Sequence, residues 1–169
     1  SPFQLLVSTI LSAQCTDERV NKVTKTIFSK YPDAKSFSKL TAHQIGKLIY
    51  STGFYNNKAK NIKKMSDIVW NDYQGEIPDN IDKLVELPGV GRKTANVVLG
   101  NIFNIPALVV DTHVTRISNL LKFVNTKNAV HIEKHLCKIV NNVDWSIFAH
   151  LLIDHGRKVC IANRPQCLS

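Results

Sequence analysis

The stretch NIDKLVELPGVGRKTANVVLGNIF, Asn80 to Phe103, decides the fold, because it spells a short helix, a glycine-rich hairpin and a second helix. Asp79 or Asn80 is placed to cap the first helix, and Ile81, Leu84 and Val85 give that helix one apolar face. Pro88 stops it, since proline neither donates a backbone hydrogen bond nor tolerates a helical residue before it. Gly89 and Gly91 flank Val90 in a turn that calls for positive φ or for close approach of the backbone to a ligand, both of which glycine permits at little cost. The second helix starts near Arg92. Its Ala95, Val98, Leu99 and Ile102 fall on one stripe at roughly 100° per residue, and Lys93 lies nearly opposite.

A hairpin that opens a helix presents unpaired backbone N–H groups at the positive end of the helix dipole, which suits a phosphate. Taken alone, the glycine spacing leaves two readings open. One is a sequence-independent grip on a nucleic-acid backbone. The other is an ordinary tight turn between packed helices, with Lys93 as a solvated charge.

Composition narrows the field. The 169 residues are 44% hydrophobic, enough for a sizeable core as one domain or two small lobes. Twenty-two Lys plus Arg against thirteen Asp plus Glu give a formal charge of +9, which favours an anionic partner, nucleic acid first. No run of about 18 apolar residues is present to span a bilayer, and the amino end carries no signal-peptide pattern, so no membrane association and an intracellular location are expected. Cys15, Cys137, Cys160 and Cys167 are scattered too unevenly for a secreted disulfide framework. The chain does not begin with Met and stops two residues past Cys167, so both ends are expected to be cut.

Outward from the hairpin, the periodicity is helical throughout. Phe3 to Leu11 reads as a nearly all-apolar, buried helix, followed by the polar break SAQCTD from Ser12 to Asp17. Val20, Val23, Thr24, Ile27, Phe28 and Tyr31 keep helical spacing up to Pro32. Thr41 with Gln44 forms a capping-box pattern ahead of Ile45, Leu48 and Ile49, and Gly53 sits where a helix ends. Asn56 to Tyr73 reads as a helix with Ala59, Ile62, Met65, Val69 and Tyr73 on one face. Its Lys58, Lys60, Lys63 and Lys64, taken singly, read as a solvated face that raises the local potential. Ile105 to Val110, with Pro106, is an extended connector. Asp111 or Thr112 then caps a helix through Leu121. Asn128 to Val140 and Asp144 to His155 are two more helices, the last ended by Gly156. About ten helices, no strand alternation and no internal repeat make the fold class all-α.

LPGVGRKTANVVL (Leu87 to Leu99) together with VDTHVTR (Val110 to Arg116) resembles the endonuclease III family of DNA glycosylases with abasic-site lyase activity. LSAQ (Leu11 to Gln14), GFYNNKA (Gly53 to Ala59) and HGRKVC (His155 to Cys160) extend the match in the same order over essentially the whole chain. The resemblance implies a helix-hairpin-helix glycosylase fold. Residues 1–105 would form a six-helix barrel carrying the motif at about 80–103, and residues 106–169 a second helical lobe. It implies a monomer that binds double-stranded DNA containing damaged bases or abasic sites and removes oxidised pyrimidines.

By the same resemblance Lys93 is the nucleophile and Asp111 its catalytic partner. An amine can displace a base from C1′ and stay attached as a Schiff base, which permits β-elimination; a hydroxyl cannot. An ordinary lysine amine is neutral in only about one part in a thousand near pH 7.4. A helix N-terminus offers only about 0.3–1 kcal/mol against the roughly 4 kcal/mol required, so desolvation in a closed cleft must supply the rest. Asp111 then serves as proton acceptor and as stabiliser of positive charge at the sugar; without the shared motif it reads as a helix cap.

Gln14 corresponds to a residue that fills the gap left by an extruded base, its alternative being a cap for the helix near Asp17. Phe54 stands where the family has a Leu wedge; a phenyl ring can also unstack a base step, and its alternative is a core aromatic. Leu87, Gly89, Val90, Gly91, Arg92, Thr94 and His113 complete the DNA-contacting set, and the carbonyls of Val85, Leu87 and Val90 resemble a monovalent-cation site. Cys160 and Cys167, with six residues between them, match the first two of four ligands to a [4Fe–4S] cluster in the intact protein. Cys15 and Cys137 read as small buried hydrophobes. Two rival functions are an adenine-mismatch glycosylase, which lacks an amine where Lys93 stands, and a non-catalytic helix-hairpin-helix DNA-binding module, which needs neither Lys93 nor Asp111.

Overall fold

The computed structural model describes residues 1–166; Cys167, Leu168 and Ser169 lie outside the described residues. Among these residues every regular element is helical, with ten α-helices and two short 3₁₀ turns. No helix among them is long and apolar enough to cross a membrane. The chain divides into two compact units, Ser1–Val98 and Leu99–Ser169, and the division falls within one helix.

The first unit holds α1 (Pro2–Ser12), α2 (Asp17–Lys30), α3 (Ala34–Ser38), α4 (Ala42–Ile49), a 3₁₀ turn (Tyr50–Thr52), α5 (Tyr55–Asn71), α6 (Ile81–Glu86) and the start of α7 (Arg92–Ile102). Local chemistry sets their boundaries. Ser1 and Gln4 form a capping box with Pro2 in the first turn of α1, whose Phe3, Leu6, Val7, Ile10 and Leu11 are buried. Thr41 and Gln44 form another, the Thr41 N–H donating to Gln44 Oε1 at 2.8 Å and the Gln44 N–H to Thr41 Oγ1 at 3.2 Å. Leu6, Leu11, Phe37, Ile45, Ile49, Ile62, Met65 and Leu84 are fully enclosed. Phe37 meets Phe3 edge-on at 5.3 Å and Tyr31 at 6.2 Å, which pins the short α3 against its neighbours.

The five residues of α3 are too few to show a helical period in the sequence. A cap defines it instead. The Ser36 N–H donates to Asp33 Oδ1 at 2.8 Å, and this bond holds the Asp33 carboxyl below its usual 3.8. A depressed folded value stabilises the fold above the ordinary aspartate range, and that contribution is lost as pH falls through the lowered value. Asp33→Ala is therefore expected to cost about 1 kcal/mol near neutrality. The mutant and the wild type should converge in stability as pH falls below the ordinary aspartate range and through the lowered Asp33 value, read by thermal unfolding.

The second unit takes the rest of α7, then α8 (Thr112–Leu120), α9 (Ala129–Ile139), a 3₁₀ turn (Asn142–Asp144) and α10 (Trp145–Lys158). Leu108, Val110, Val114, Ile117, Val124, Ile132, Leu136, Ala149 and Leu152 make its core, with Cys137, Trp145, Phe148 and Cys160 packed against it. The Trp145 indole N–H donates to the Val140 carbonyl at 2.9 Å, so the half-buried ring packs on this core without stranding its donor.

Three local expectations are corrected. Val85 is 38% exposed, so the inward face of the six-residue α6 is carried by the buried Leu84, with Ile81 half-buried. Gly156 does not end the last helix, which continues to Lys158. A Cβ on Gly156 would stand 2.9 Å from His113 Nδ1 and 3.2 Å from His113 Cβ, so the missing side chain lets α8 close on α10. The helix tolerates the glycine's cost of about 0.8–1 kcal/mol because packing at that contact depends on it. Finally, the lysines of α5 are not one solvated face: Lys60 and Lys64 are exposed, Lys63 is half-buried, and Lys58 is buried.

Candidate active site and nucleic-acid interface

The hairpin is built from inside out. Asn80 caps α6 by accepting from the Asp82 and Lys83 N–H groups at 2.8 and 3.3 Å, and Leu87, extended ahead of Pro88, ends it. The Val90 N–H donates to the Leu87 carbonyl at 3.0 Å, and both side chains are buried, so the turn is anchored by Leu87 and Val90. Only one of the two glycines needs a left-handed backbone. Gly89 has φ +83°, and a Cβ there would meet Asn61 Cβ at 2.9 Å. Gly91 is not left-handed, and a Cβ there would meet nothing within 4 Å. The Gly91 carbonyl accepts from the Ala95 N–H at 2.9 Å and starts α7, whose first-turn amides lie at the hairpin end.

Of the first-turn side chains, Arg92 and Thr94 are half-buried and Lys93 is exposed, while Ala95 and Val98 are fully buried on the opposite stripe. Lys93 therefore projects from the face that the apolar period leaves outside.

Gln14, Phe54 and Gly89, drawn from three separate stretches of sequence, line a single cleft of about 280 Å³, whose wall also includes Asn57, Lys58 and Asn61. Gln14 follows α1 in a left-handed conformation at φ 53°, and it is exposed. It does not cap the next helix; Thr16 does, accepting from the Arg19 N–H at 3.4 Å. Phe54 precedes α5 at φ 49° and is 67% exposed, so it is no core aromatic. Two non-glycine residues held left-handed at the rim of one cleft are uncommon and mark a constrained site.

The sequence reading missed Lys58 and Asn61 in this wall. A usable signal existed for Lys58. It stands four residues before Ile62, seven before Met65 and eleven before Val69, on the buried stripe, whereas Lys60 and Lys64 stand off it.

In the second unit Asp111 caps α8, its Oδ1 accepting from the Val114 N–H at 2.9 Å, and its carbonyl accepts from the Thr115 N–H. His113, one residue into α8, is half-buried, with Nδ1 enclosed and unpartnered among the described residues. Arg116 donates from Nη2 to the Gly156 carbonyl at 3.1 Å and from Nη1 to Cys160 Sγ at 3.4 Å. Cys160 is thus tied to α8 and α10 at once. Its sequence partner Cys167 lies outside the described residues. Among the described residues no three His, Cys, Asp or Glu side chains are grouped so as to hold a metal. Cys15 and Cys137 are half-buried rather than enclosed.

Known proteins resemble this chain in sequence and in fold. The sequence profile described as HhH-GPD superfamily base excision DNA repair protein matches residues 7–142. The chain is 49% identical to Endonuclease III of Synechocystis sp. (strain ATCC 27184 / PCC 6803 / Kazusa) over 168 residues, covering 99% of this chain and 77% of that protein. A solved non-covalent Endonuclease III–DNA complex superposes with a TM-score of 0.92 at 46% identity, over 100% of this chain and 79% of that one. A trapped Endonuclease III–DNA covalent intermediate matches with the same score and identity, over 100% of this chain and 80% of that one. An exposed amine beside a glycine hairpin, on a scaffold that matches these relatives over 99–100% of this chain and 77–80% of theirs, leaves one assignment: the chain belongs to the HhH-GPD superfamily of base excision DNA repair proteins, within its endonuclease III family.

Proposed function

We propose that this protein is a bifunctional DNA glycosylase and abasic-site lyase of base excision repair, removing oxidised pyrimidines from duplex DNA with Lys93 as nucleophile and Asp111 as its partner. The observation that carries this reading is the clustering of Gln14, Phe54 and Gly89 around one cleft, in the same unit as an exposed Lys93 on the first turn of α7. In the reading, the amides at the Gly91 end of α7 take a phosphate, with Arg92 and Thr94 beside it. Phe54 enters the base stack and Gln14 fills the space opposite the extruded nucleotide. His113 adds a contact from the second lobe.

Chemistry then follows from the amine. Lys93 Nζ attacks C1′, the C1′–N bond to the damaged base breaks, and the base leaves with the electron pair and a proton. The sugar ring opens to a protonated Schiff base. Loss of a C2′ proton and cleavage of the C3′–O bond release the 3′ phosphate, and water then frees the lysine. Lys93 is exposed in the free chain, so its desolvation arrives with the flipped nucleotide. Asp111, held by its capping bond to Val114, accepts a proton and stabilises positive charge at the sugar. The division of labour is a barrel with the hairpin motif over residues 1–105 and a second lobe over 106–169. The acting form is a monomer, and its genomic substrate implies an intracellular place, at the nucleoid in a bacterial cell.

A [4Fe–4S] cluster in the intact protein would use Cys160 and Cys167 as two of four thiolate ligands. Cys160 has a cationic donor at its sulfur in Arg116, which suits a thiolate. The residues present do not complete the set of four, and no step of the reaction depends on it.

The test is reductive trapping. Borohydride added to the intact protein with duplex containing an abasic site or an oxidised pyrimidine is expected to leave protein covalently bound to DNA. An adenine-mismatch glycosylase or a non-catalytic binding module would leave none. The wedge has its own check. Phe54→Ala should lose less than about 1 kcal/mol of stability, against the roughly 3–5 of a buried Phe→Ala change. Its affinity for abasic-site duplex should nevertheless fall by about tenfold. Unchanged binding would remove Phe54 from the interface.

A further inference from the structure

Lys58 carries the only ammonium among the described lysines that is buried, at 6% exposure, and nothing in the reaction so far uses it. Its Nζ donates to the Leu11 carbonyl at 2.9 Å and to the Thr52 carbonyl at 2.7 Å. Leu11 lies in the last turn of α1 and Thr52 ends the 3₁₀ turn, so both carbonyls belong to helix ends that lack intrahelical partners there. Gln14 is three residues beyond the first, and Phe54 is two beyond the second. One cation therefore joins two chain segments 41 residues apart in sequence, at the points from which the two cleft-rim residues depart.

Three further facts converge on the same place. Gln14 and Phe54 both sit left-handed, at φ 53° and 49°, a conformation that non-glycine residues keep only where their surroundings over-determine it. The two turns run close together, a Cβ on Gly53 lying 3.8 Å from the Gln14 carbonyl oxygen. Lys58 also lines the cleft that Gln14 and Phe54 border. Burial pushes the Lys58 ammonium below its ordinary value, an outlay for which two short charge-assisted hydrogen bonds are the visible return.

We propose that Lys58 is a positioning residue for lesion recognition: by clamping the Leu11 and Thr52 carbonyls it fixes the spacing of the Gln14 and Phe54 turns, so that both side chains enter the duplex together. The inference rests on the reading of Gln14 and Phe54 as the inserting pair. Positioning of this kind is distinct from general stability, since it acts only on DNA that is being opened. It leaves the phosphate grip of the hairpin untouched.

The experiment measures affinity for a duplex with a tetrahydrofuran abasic analogue and for the same duplex undamaged, using the intact protein. Five proteins are compared: wild type, Lys58→Met, Lys58→Gln, the double variant Gln14→Ala/Phe54→Ala, and the triple variant that adds Lys58→Met to the double. Lys58→Met should keep undamaged-duplex affinity within about twofold and lose about tenfold in discrimination for the abasic site. The triple variant should discriminate no worse than the double, because a clamp has nothing left to position. Lys58→Gln, whose amide N–H donors are neutral and on a shorter side chain, should fall between Lys58→Met and wild type, and it carries the test by itself should Lys58→Met fail to fold. Wild-type discrimination in folded Lys58→Met, or in Lys58→Gln where that variant stands alone, overturns the proposal. So does a further tenfold loss in the triple variant. If the double variant itself discriminates like wild type, the insertion reading fails and takes this proposal with it; if the double loses discrimination and Lys58→Met does not, the clamp alone is wrong.

Discussion

Lys93→Gln is expected to abolish the borohydride-trapped adduct completely. A Schiff base requires an amine with an available lone pair; the glutamine amide delocalises its own into the carbonyl and cannot add to C1′. Side-chain length and polarity are nearly kept, and Lys93 is exposed, so stability should move by no more than about 0.5 kcal/mol. Binding should survive, because the backbone amides at the Gly91 end and the net charge of +9 remain almost intact. One cation near the phosphates is lost, so the slope of log affinity against log salt should become shallower by about one. The measurement is denaturing electrophoresis of trapped and untrapped strands beside a salt titration of undamaged duplex. Trapping that persists in Lys93→Gln would move the chemistry to another amine.

How far the sequence speaks for this site depends on whether the cause is local. The Thr41–Gln44 box, the stop at Pro88 and the start of α7 at Arg92 are all set by residues within one helical turn, and all were legible; each of the two caps was narrowed to a pair, Asp79 or Asn80 and Asp111 or Thr112, from which the structure selects Asn80 and Asp111. Lys93 on the outer face was legible too, since the burial of Ala95 and Val98 fixes the opposite side. Gly156 was misread because a glycine late in a helix looks like a stop, while its actual determinant is His113 more than forty residues earlier. Lys58 was misread for the same reason. A lysine amid other lysines suggests water, and the two carbonyls that hold it come from other elements. Its place on the apolar stripe was visible; its acceptors were not. What local rules miss here is long-range satisfaction of polar groups, and that is also where the cleft is built.

Asp111→Asn separates the two duties of one carboxylate, and it should slow base removal by a factor of about 10²–10⁴ without weakening the fold. The structural duty is plain: Oδ1 accepts the Val114 N–H at 2.9 Å and caps α8, above a core that includes Val114 and Ile117. Asparagine offers the same oxygen at the same reach and ranks with aspartate as a cap, so Asp111→Asn should unfold within about a degree of wild type. It cannot, however, accept a proton or stabilise a cation at the sugar as a carboxylate does. Asp111→Ala fails in both duties, losing about 1 kcal/mol of stability as well as the rate. Three proteins and two measurements therefore decide the matter: single-turnover base excision, and thermal unfolding. A purely structural Asp111 would leave Asp111→Asn as fast as wild type and slow only Asp111→Ala, in step with its stability. A catalytic one makes Asp111→Asn slow and stable. Because Lys93 survives in both variants, residual turnover should still be trappable by borohydride, only later, so that the adduct appears at a rate set by Asp111 and at a position set by Lys93.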